Sequence, residues 1–487
     1  YGTDFHANGH DHQLTFNPAG NVLPYPKVSE GGNNNNSTLR TTLLTLENGI
    51  ATFKAMDDAG GQVFLKTVDC AENGTPAPKA EVEEKEEITE TVVETPVDTT
   101  TAIPTMAGMS TAALKGAADT TANVTKPVVF DAGEYYSVVW QTTSGVKCAG
   151  YVDVSGVSKT FMDQHGGKLR SETTHSVRIP KDTFASSKTY TIKSRVVINY
   201  NAYGSVENNG NNPTQYGPYA TGKTVQFNGN PDKKSMEYTI LAVANKTGGS
   251  ADAQKVLSKY KEHPDLVVMT GDMTKSLNTE KDFTKILEYA NTLTGGAVPV
   301  MLLRGENETK GAFAAYLPRI LHNFSSAHTI NKLYTTYSTS NLSIIGLDTA
   351  TTKKDNHVAY NGYASFDKIR KEQKDWLENE LGRSFSGVYN IVFANASDLT
   401  NCVGVDFSDA LEKHKIQLVV SAGDTAQFVN GGKYYSQATI GDSLGILIPC
   451  KDKKISVKSI ADETKELGTI KTADVTYGGE QIVKPIK

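Results

Sequence analysis

The sequence has no excess of positive charge and no long apolar run. Its 487 residues include 49 Lys and Arg against 54 Asp and Glu, which gives a formal net charge of −5. Nucleic-acid-binding proteins usually carry a basic excess on at least one face, and no local cluster of Lys and Arg supplies one. No segment approaches the roughly 18 consecutive apolar residues that a membrane span needs. The composition therefore predicts neither a nucleic-acid partner nor a membrane span.

Cysteine is also scarce, with four residues at Cys70, Cys148, Cys402 and Cys450. No two of them form a Cys-x-x-Cys pair, which argues against a zinc knuckle or a thioredoxin-type site. An even number of widely spaced cysteines is compatible with disulfides in an oxidising compartment. We favour the pairs Cys402–Cys450 and Cys70–Cys148, because each pair stays within one half of the chain. Four buried free thiols are the alternative.

The start of the chain and its sequons favour secretion. The chain begins at Tyr1 rather than at Met, and it does not open with the charged and then apolar segments of a signal peptide. A mature secreted chain looks like this after its signal peptide is cleaved. A chain truncated artificially would look the same. Chance predicts about six Asn-x-Ser/Thr acceptors in this composition. Nine are present, at Asn35, Asn36, Asn73, Asn123, Asn245, Asn307, Asn323, Asn341 and Asn395. We therefore expect an extracellular glycoprotein with N-linked glycans, and the placement of the sequons matters more than their number.

The length of the chain suggests about three domains. Its first 126 residues are polar. Residues 1–77 begin with a Gly- and Asn-rich arm and continue with strand-like alternation at 41–46 and 62–68. The histidines of the arm are interpreted as polar arm residues rather than as a metal site. Residues 78–126 are acidic and Thr-rich, a composition typical of an extended, solvated linker.

The remaining chain changes pattern near residue 230. Residues 127–230 carry β-branched or alternating runs that predict a small β-sandwich with Trp140 in its core. Residues 231–450 alternate strands and helices, which indicates an α/β architecture with a largely buried sheet. The predicted strands there are 238–244, 266–269, 298–303, 342–347, 388–393 and 417–421, and the predicted helices are 251–260, 280–293, 365–381 and 408–414. Residues 451–487 form a Lys-rich, strand-rich tail.

The order of motifs in this region resembles that of the calcineurin-like metallophosphoesterases. The stretches PDLVVMTGDM, VPVMLLRGENET, IIGLDT, IVFANAS and LVVSAGDTAQF follow one another along the chain. The earlier runs YSVVWQT and HSVRIPKDTF look like the fibronectin type III-like domain of purple acid phosphatase-type members. The resemblance covers about residues 128–450. It implies an α/β metallophosphoesterase-like sandwich, preceded by an all-β fibronectin type III-like domain and an extended N-terminal arm that contains β-strands.

The residues at the family's metal-ligand positions differ from those of an active member. Such a member holds two metal ions with an Asp after the first strand, the Asp of GD, the Asn of GNH, a lone His and the two His of GHxH. In open α/β sheets, working residues lie beyond the carboxyl ends of strands. In this chain, the six ligand positions and the position of the His of GNH carry the following residues: Asn245, Asp272, Glu306, Asn307, Asn395, Asp424 and Ala426. Only Asp272 keeps the family's residue type.

The loss of imidazoles argues against catalysis. None of the ten histidines falls on a ligand position. A dinuclear site activates water by concentrating positive charge on it, and the remaining Asp272, Glu306 and Asp424 are an all-oxygen set that zinc or iron would bind poorly. We therefore expect a pseudoenzyme with no catalytic residue and no cofactor. The alternative is a phosphoesterase or divalent-ion-binding protein that uses these three carboxylates with Ca or Mg.

A fold without catalysis suggests a structural role. Three sequons, at Asn245, Asn307 and Asn395, fall on former ligand loops, so that glycans there would cover the cleft. A dead site on an ordered fold often serves assembly. Extended polar arms commonly add a strand to a neighbour's sheet edge. We therefore expect residues 1–126 to contact the next copy of the chain in a head-to-tail filament or lattice.

Overall fold

The chain divides into two compact units, Tyr1–Thr101 and Ala102–Lys487, in a computed structural model. The structure describes six strands of the first unit, and residues 125–472 of the second except 143–147, 166, 185–187, 200–214, 230–235, 262–263, 322–331, 350, 385–386, 432–433, 442–443 and 463–464. Most of the predicted linker, residues 78–124, therefore lies outside the described residues, as do most of the N-terminal arm and the end of the tail.

The first unit contains two small three-stranded sheets. Its strands are β1 (His6–Asn8), β2 (Thr15–Asn17), β3 (Lys27–Ser29), β4 (Thr41–Glu47), β5 (Ile50–Met56) and β6 (Gln62–Asp69). β3 pairs with β1 in parallel and with β2 antiparallel, and β4, β5 and β6 form an antiparallel meander. Ala51 and Phe53 are buried while Thr52 and Lys54 are half-buried, the period of two that a one-sided sheet requires. The two strands predicted in this region, 41–46 and 62–68, are confirmed.

The second unit is a mixed α/β structure. Its strands are β7 (Val128–Ala132), β8 (Tyr135–Gln141), β9 (Cys148–Val154), β10 (Phe161–Met162), β11 (Gln164–His165), β12 (Lys168–Leu169), β13 (Thr174–Pro180), β14 (Thr189–Asn199), β15 (Gln215–Thr221), β16 (Val225–Gln226), β17 (Tyr238–Val243), β18 (Leu266–Met269), β19 (Pro299–Leu302), β20 (Thr335–Ser338), β21 (Leu342–Leu347), β22 (Tyr389–Ala394), β23 (Leu418–Ala422), β24 (Gln427–Val429), β25 (Ser436–Ile440), β26 (Ile446–Lys451), β27 (Lys454–Ser459) and β28 (Glu466–Lys471). Its α-helices are α1 (Ser250–Lys259), α2 (Glu280–Thr294), α3 (Leu317–Leu321), α4 (Phe366–Ser384) and α5 (Ser408–Glu412), with short 3₁₀ helices at Asn307–Thr309 and Ala312–Tyr316. Within the described residues, no helix is long and apolar enough to cross a membrane.

Two sheets dominate this unit and face each other. The larger has nine strands in the order β13-β8-β7-β19-β18-β17-β26-β27-β28, and the smaller has six in the order β20-β21-β22-β23-β25-β24. One apolar cluster lies between them, with Ile240 and Val268 from the larger sheet and Ile391 and Val420 from the smaller. A second cluster packs α1 and α2 on the outer face of the larger sheet, and a third packs α4 on the smaller. The layers are therefore helix, sheet, sheet and helix, which buries both faces of each sheet.

The nine-stranded sheet corrects the predicted domain boundary at residue 230. β7 pairs in parallel with β19, through Val129 opposite Pro299, and β8 and β13 continue the same sheet. The other strands of residues 127–230 include a five-stranded sheet, and it packs against β8 and β13 around the fully buried Trp140. Trp140 is in a core as expected, but β7, β8 and β13 share a sheet with the α/β region. The start of the predicted tail joins that sheet too, as β27 and β28.

Candidate functional site

Four of the seven positions matched to the family's motif come together at one edge of the sandwich. Asn245, Asp272, Asn307 and Asn395 follow β17, β18, β19 and β22, whose carboxyl ends meet there. The backbone N–H of Asn307 donates to Asp272 Oδ1 at 2.9 Å. The side-chain amide of Asn395 donates to Asp272 Oδ2 at 3.3 Å. Asp272 is therefore the centre of this cluster.

Unusual backbone conformations place the residues of this cluster close to one another. Asn245 and Asp272 have φ values of 57° and 54°, in the left-handed region that few residues other than Gly and Asn adopt readily. Gly271 has a φ of 97°, and a Cβ there would lie 2.1 Å from the backbone nitrogen of Gly305. Only Gly permits this close approach of the loops after β18 and β19. The local sequence thus fixes the position of Asp272 against the neighbouring loop.

Both carboxylate oxygens of Asp272 accept hydrogen bonds from the protein itself. Asn395 Nδ2 donates to the carbonyl oxygen of Thr270 at 2.7 Å as well as to Asp272. A carbonyl can only accept, so the amide atom that faces it has to be the nitrogen. A donor –NH₂ group therefore points at Asp272 from the position where the family has the lone His. This donor set does not fit a metal ion, which needs lone pairs from its ligands.

Glu306 forms ion pairs with lysine side chains rather than joining Asp272. Its carboxylate forms a salt bridge with Lys353 and lies 3.4 Å from Lys310 Nζ. Burial works to raise the pKa of Glu306, but hydrogen bonds and charge from Lys353 and Lys310 outweigh it and lower the pKa. Asp424 is exposed. Across the described residues, no three His, Cys, Asp or Glu side chains are grouped to hold a metal ion, so the alternative site at Asp272, Glu306 and Asp424 is not assembled.

Glu308 is the residue of this site that the sequence reasoning missed. Its side chain is fully buried and accepts the backbone N–H groups of Asp272, Met273, Thr274 and Gly305, at 2.8 to 3.2 Å. Burial and the charge of Asp272 raise the pKa of Glu308 to about 7, although its hydrogen bonds to the backbone lower it. The family resemblance implies metal ligands at the strand ends, and not a carboxylate that binds backbone groups. The only signal available was a Glu two residues beyond an expected ligand.

A buried ion pair lies beside the site. Arg304 Nε and Nη2 each approach an oxygen of Asp348 at 2.8 Å. Gln373 of α4 accepts the backbone N–H of Asp348 at 2.6 Å and donates to its carbonyl oxygen at 3.1 Å. The guanidinium also lies 4.8 Å from the centroid of the Phe366 ring. These contacts connect the ends of β19, β21 and α4 without a metal ion.

The structure describes four of the nine predicted glycosylation acceptors. Asn245, Asn307, Asn341 and Asn395 are all half-buried. A glycan on Asn395 would replace one of the two amide hydrogens that Thr270 and Asp272 accept, so this acceptor is disfavoured in the folded chain. The other five acceptors, Asn35, Asn36, Asn73, Asn123 and Asn323, lie outside the described residues.

The predicted disulfide Cys402–Cys450 is wrong. Both residues are buried free thiols. Cys402 packs in the cluster between α4 and the smaller sheet, whereas Cys450 packs between the two sheets. Nearness along the chain placed them together in the prediction, but the smaller sheet separates them. Cys148 is a buried thiol, and its predicted partner Cys70 lies outside the described residues.

Two facing sheets covered by helices, with functional positions at the carboxyl ends of parallel strands, define an α/β sandwich of the phosphoesterase type. Residues 246–428 match the family model described as calcineurin-like phosphoesterase. This part of the chain therefore belongs to the calcineurin-like phosphoesterase family.

Three solved structures to which the chain is similar share about a tenth of their residues with it. A structure of PhoD matches at 11% identity, with a TM-score of 0.40 and coverage of 68% of this chain and 85% of that chain. A predicted phosphoesterase from Streptococcus pneumoniae TIGR4 matches at 10% identity, with a TM-score of 0.20 and coverage of 50% and 94%. A Vps29 single mutant from Entamoeba histolytica matches at 9% identity, with a TM-score of 0.22 and coverage of 48% and 98%. No curated protein matches the chain significantly.

Proposed function

We propose that this chain is a secreted, glycosylated structural protein that uses the phosphoesterase fold without catalysis and assembles with copies of itself. The observation that carries the loss of catalysis is the environment of Asp272. The one residue that keeps the family's type is held by hydrogen bonds from Asn307 and Asn395. One lone pair on each of its oxygens accepts a hydrogen bond, and the Asn395 amide turns a donor group toward it where the family has a ligand.

The charges around Asp272 support the same proposal. Phosphoester hydrolysis in this family's manner needs positive charge placed on the attacking water and on the leaving oxygen. Here the nearby cations Lys353 and Lys310 are already paired with Glu306. Their charge is partly neutralised by that carboxylate, and the amide of Asn307, which stands where the family has the His of GNH, does not act as a general acid. The cluster stabilises loops instead of a reaction.

The first test is catalytic. The purified chain is expected to show no turnover of an aryl phosphate above buffer, with or without added zinc, manganese, magnesium or calcium. The Asp272→Ala variant serves as the matched control and should give the same background. Elemental analysis of the purified chain should find less than one divalent ion per molecule. Turnover that disappears in Asp272→Ala would contradict the proposal.

The first unit supports the part of the proposal that concerns assembly. Residues 1–101 form a compact unit that contains two small sheets, and within its described residues each three-stranded sheet has two outer strands that pair on one side. Ile50 and Leu65 on the meander are 42% and 49% exposed. An open strand edge beside exposed apolar side chains is a common surface for pairing with another chain.

Deletion of residues 1–101 should abolish assembly and leave a folded monomer. The cut has to spare Thr125, because its hydroxyl accepts the backbone N–H of Gln141 at 2.9 Å and its own N–H donates to the Gln141 carbonyl oxygen. Light scattering and electron microscopy of the full and shortened chains would measure the result. Particles of unchanged size after the deletion would reject this route of assembly.

Glycan mapping tests secretion and coverage of the former cleft together. We expect glycans on Asn245 or Asn307 in the natively produced chain, and an unmodified Asn395 because of its two inward hydrogen bonds. Mass spectrometry of peptides after glycosidase treatment in heavy-oxygen water would mark each occupied Asn. If Asn245 and Asn307 are both unmodified, glycans do not cover the cleft.

A further inference from the structure

A lysine and a buried aspartate form an ion pair in the nine-stranded sheet. Asp131 lies on β7, and Lys181 directly follows β13. The Lys181 Nζ atom lies 2.5 Å from Asp131 Oδ1, and the side chains are 11% and 0% exposed, respectively. The two residues do not belong to neighbouring strands, because β8 runs between β7 and β13. The pair therefore bridges three strands of the sheet.

The register of these strands brings the two side chains to the same face. Asp131 is directly opposite Tyr136 of β8, and Tyr136 is directly opposite Ile179 of β13. Opposite residues project from the same face of an antiparallel sheet. The Lys181 side chain reaches over the Tyr136 ring, with Nζ 5.1 Å from the ring centroid, and its backbone N–H donates to the carbonyl oxygen of Glu134 at 3.2 Å. The folded sheet thus holds an amine against a carboxyl group.

The surroundings of the pair keep water away and give the carboxyl group few other partners. A second buried ring, that of Tyr337 on β20, has its centroid 4.9 Å from Lys181 Nζ. By hydrogen-bond geometry, no described donor satisfies either oxygen of Asp131. Glu308, by contrast, accepts four backbone N–H groups. Within the described residues, Asp131 therefore relies on Lys181 to balance its charge.

Transfer of one proton within the pair would remove both charges. Burial raises the pKa of Asp131, although the charge of Lys181 lowers it. The two rings favour the ammonium while it is charged, but an ion pair taken out of water loses the hydration of both partners. After the transfer, an uncharged amine, which is a nucleophile, lies beside a carboxylic acid. Groups held in contact by the fold react as if they were highly concentrated.

We propose that Lys181 and Asp131 join in an isopeptide bond within the chain. The Nζ lone pair of Lys181 attacks the carboxyl carbon of Asp131, so that a C–N bond forms and the C–OH bond breaks. The hydroxyl group leaves as water with one proton from the nitrogen, and the amide keeps one N–H. Nothing is oxidised or reduced, so the step needs no co-reactant.

This bond would tie β7 to the end of β13 across β8. A cross-link between residues 131 and 181 restricts the unfolded chain in the way that a disulfide does. β7 is the first described strand after the predicted linker, so the bond fixes the start of the second unit. The cross-link does not depend on whether the candidate functional site is catalytic.

Mass spectrometry of the full chain, produced without glycans and denatured before the measurement, tests this proposal. We expect a mass lower than that of the sequence by one water molecule. Protease digestion should give one branched peptide that contains both Asp131 and Lys181. The Lys181→Arg variant keeps a positive charge but replaces the amine with a guanidinium that stays protonated. It should have the full mass of its sequence and a lower unfolding midpoint.

The control is a second lysine–aspartate ion pair in the same chain. Lys193 on β14 and Asp153 on β9 are 32% and 35% exposed, so water solvates both charges and no branched peptide should join them. The proposal is overturned if the unsubstituted chain has the full mass of its sequence or if the branched peptide that contains Lys181 is absent. Equal cross-linking of Lys193 to Asp153 would also overturn it, since burial would then not be the cause.

Discussion

Replacing Glu308 with Ala should lower the free energy of unfolding by about 4 kcal/mol or more. The fully buried carboxylate accepts four backbone N–H groups, and an unsatisfied buried donor costs about 1–3 kcal/mol. Water entering the space left by the side chain would satisfy some of these donors, so the expected value is near the lower end of the sum. Urea denaturation of the two proteins at one pH measures the difference.

The Glu308→Gln variant is the control, and it gives the prediction a dependence on pH. Burial and Asp272 raise the pKa of Glu308 from 4.5 to about 7, so the folded chain holds a proton that the unfolded chain releases between these values. The stability contributed by this group is present below pH 4.5 and is lost as the pH rises through 7. The amide of the variant does not titrate. The stability advantage of the unsubstituted chain over the Glu308→Gln variant should therefore shrink between pH 5 and pH 8, and a constant advantage would contradict this assignment.

Replacing Asp348 with Ala should cost about 3–5 kcal/mol, because it leaves the charge of Arg304 buried without its partner. Arg304 is 8% exposed and Asp348 is 2% exposed. The double variant Arg304→Met, Asp348→Ala removes both charges and should regain part of the loss. Thermal and urea unfolding of the unsubstituted chain and the two variants would measure these differences.

An exposed ion pair supplies the comparison. Asp409 and Lys413 on α5 and just beyond it lie 2.9 Å apart, with side chains that are 51% and 56% exposed. Asp409→Ala should therefore cost no more than about 1 kcal/mol. If Asp348→Ala and Asp409→Ala cost the same, the pair beside the candidate site does not have the structural role assigned to it.

These two predictions concern the same feature of the fold. Glu308 joins the loops after β18 and β19, and Arg304 with Asp348 joins the ends of β19 and β21. Neither contact needs a metal ion or a substrate. The loops at this edge of the sandwich are therefore held together by the chain's own polar groups.

The sequence alone determined most of the secondary structure in the α/β region. The predicted strands 238–244, 266–269 and 342–347 correspond to β17, β18 and β21, and the predicted helices 280–293 and 365–381 correspond to α2 and α4. Short apolar runs and the 3.6-residue period are local properties of the chain, so they can be found without knowing what lies across from them. The order of motifs similarly indicated the family matched by residues 246–428.

The tertiary structure decided which elements and side chains meet. β7 could have belonged to a separate β domain until its pairing with β19 placed it in the nine-stranded sheet. The same holds for the direction of the Asn395 amide, the burial of Glu308 and the separation of Cys402 from Cys450. Each depends on contacts between segments far apart in sequence. Local pattern specifies that a residue is apolar, polar or extended, but its partner is fixed only when the sheets pack.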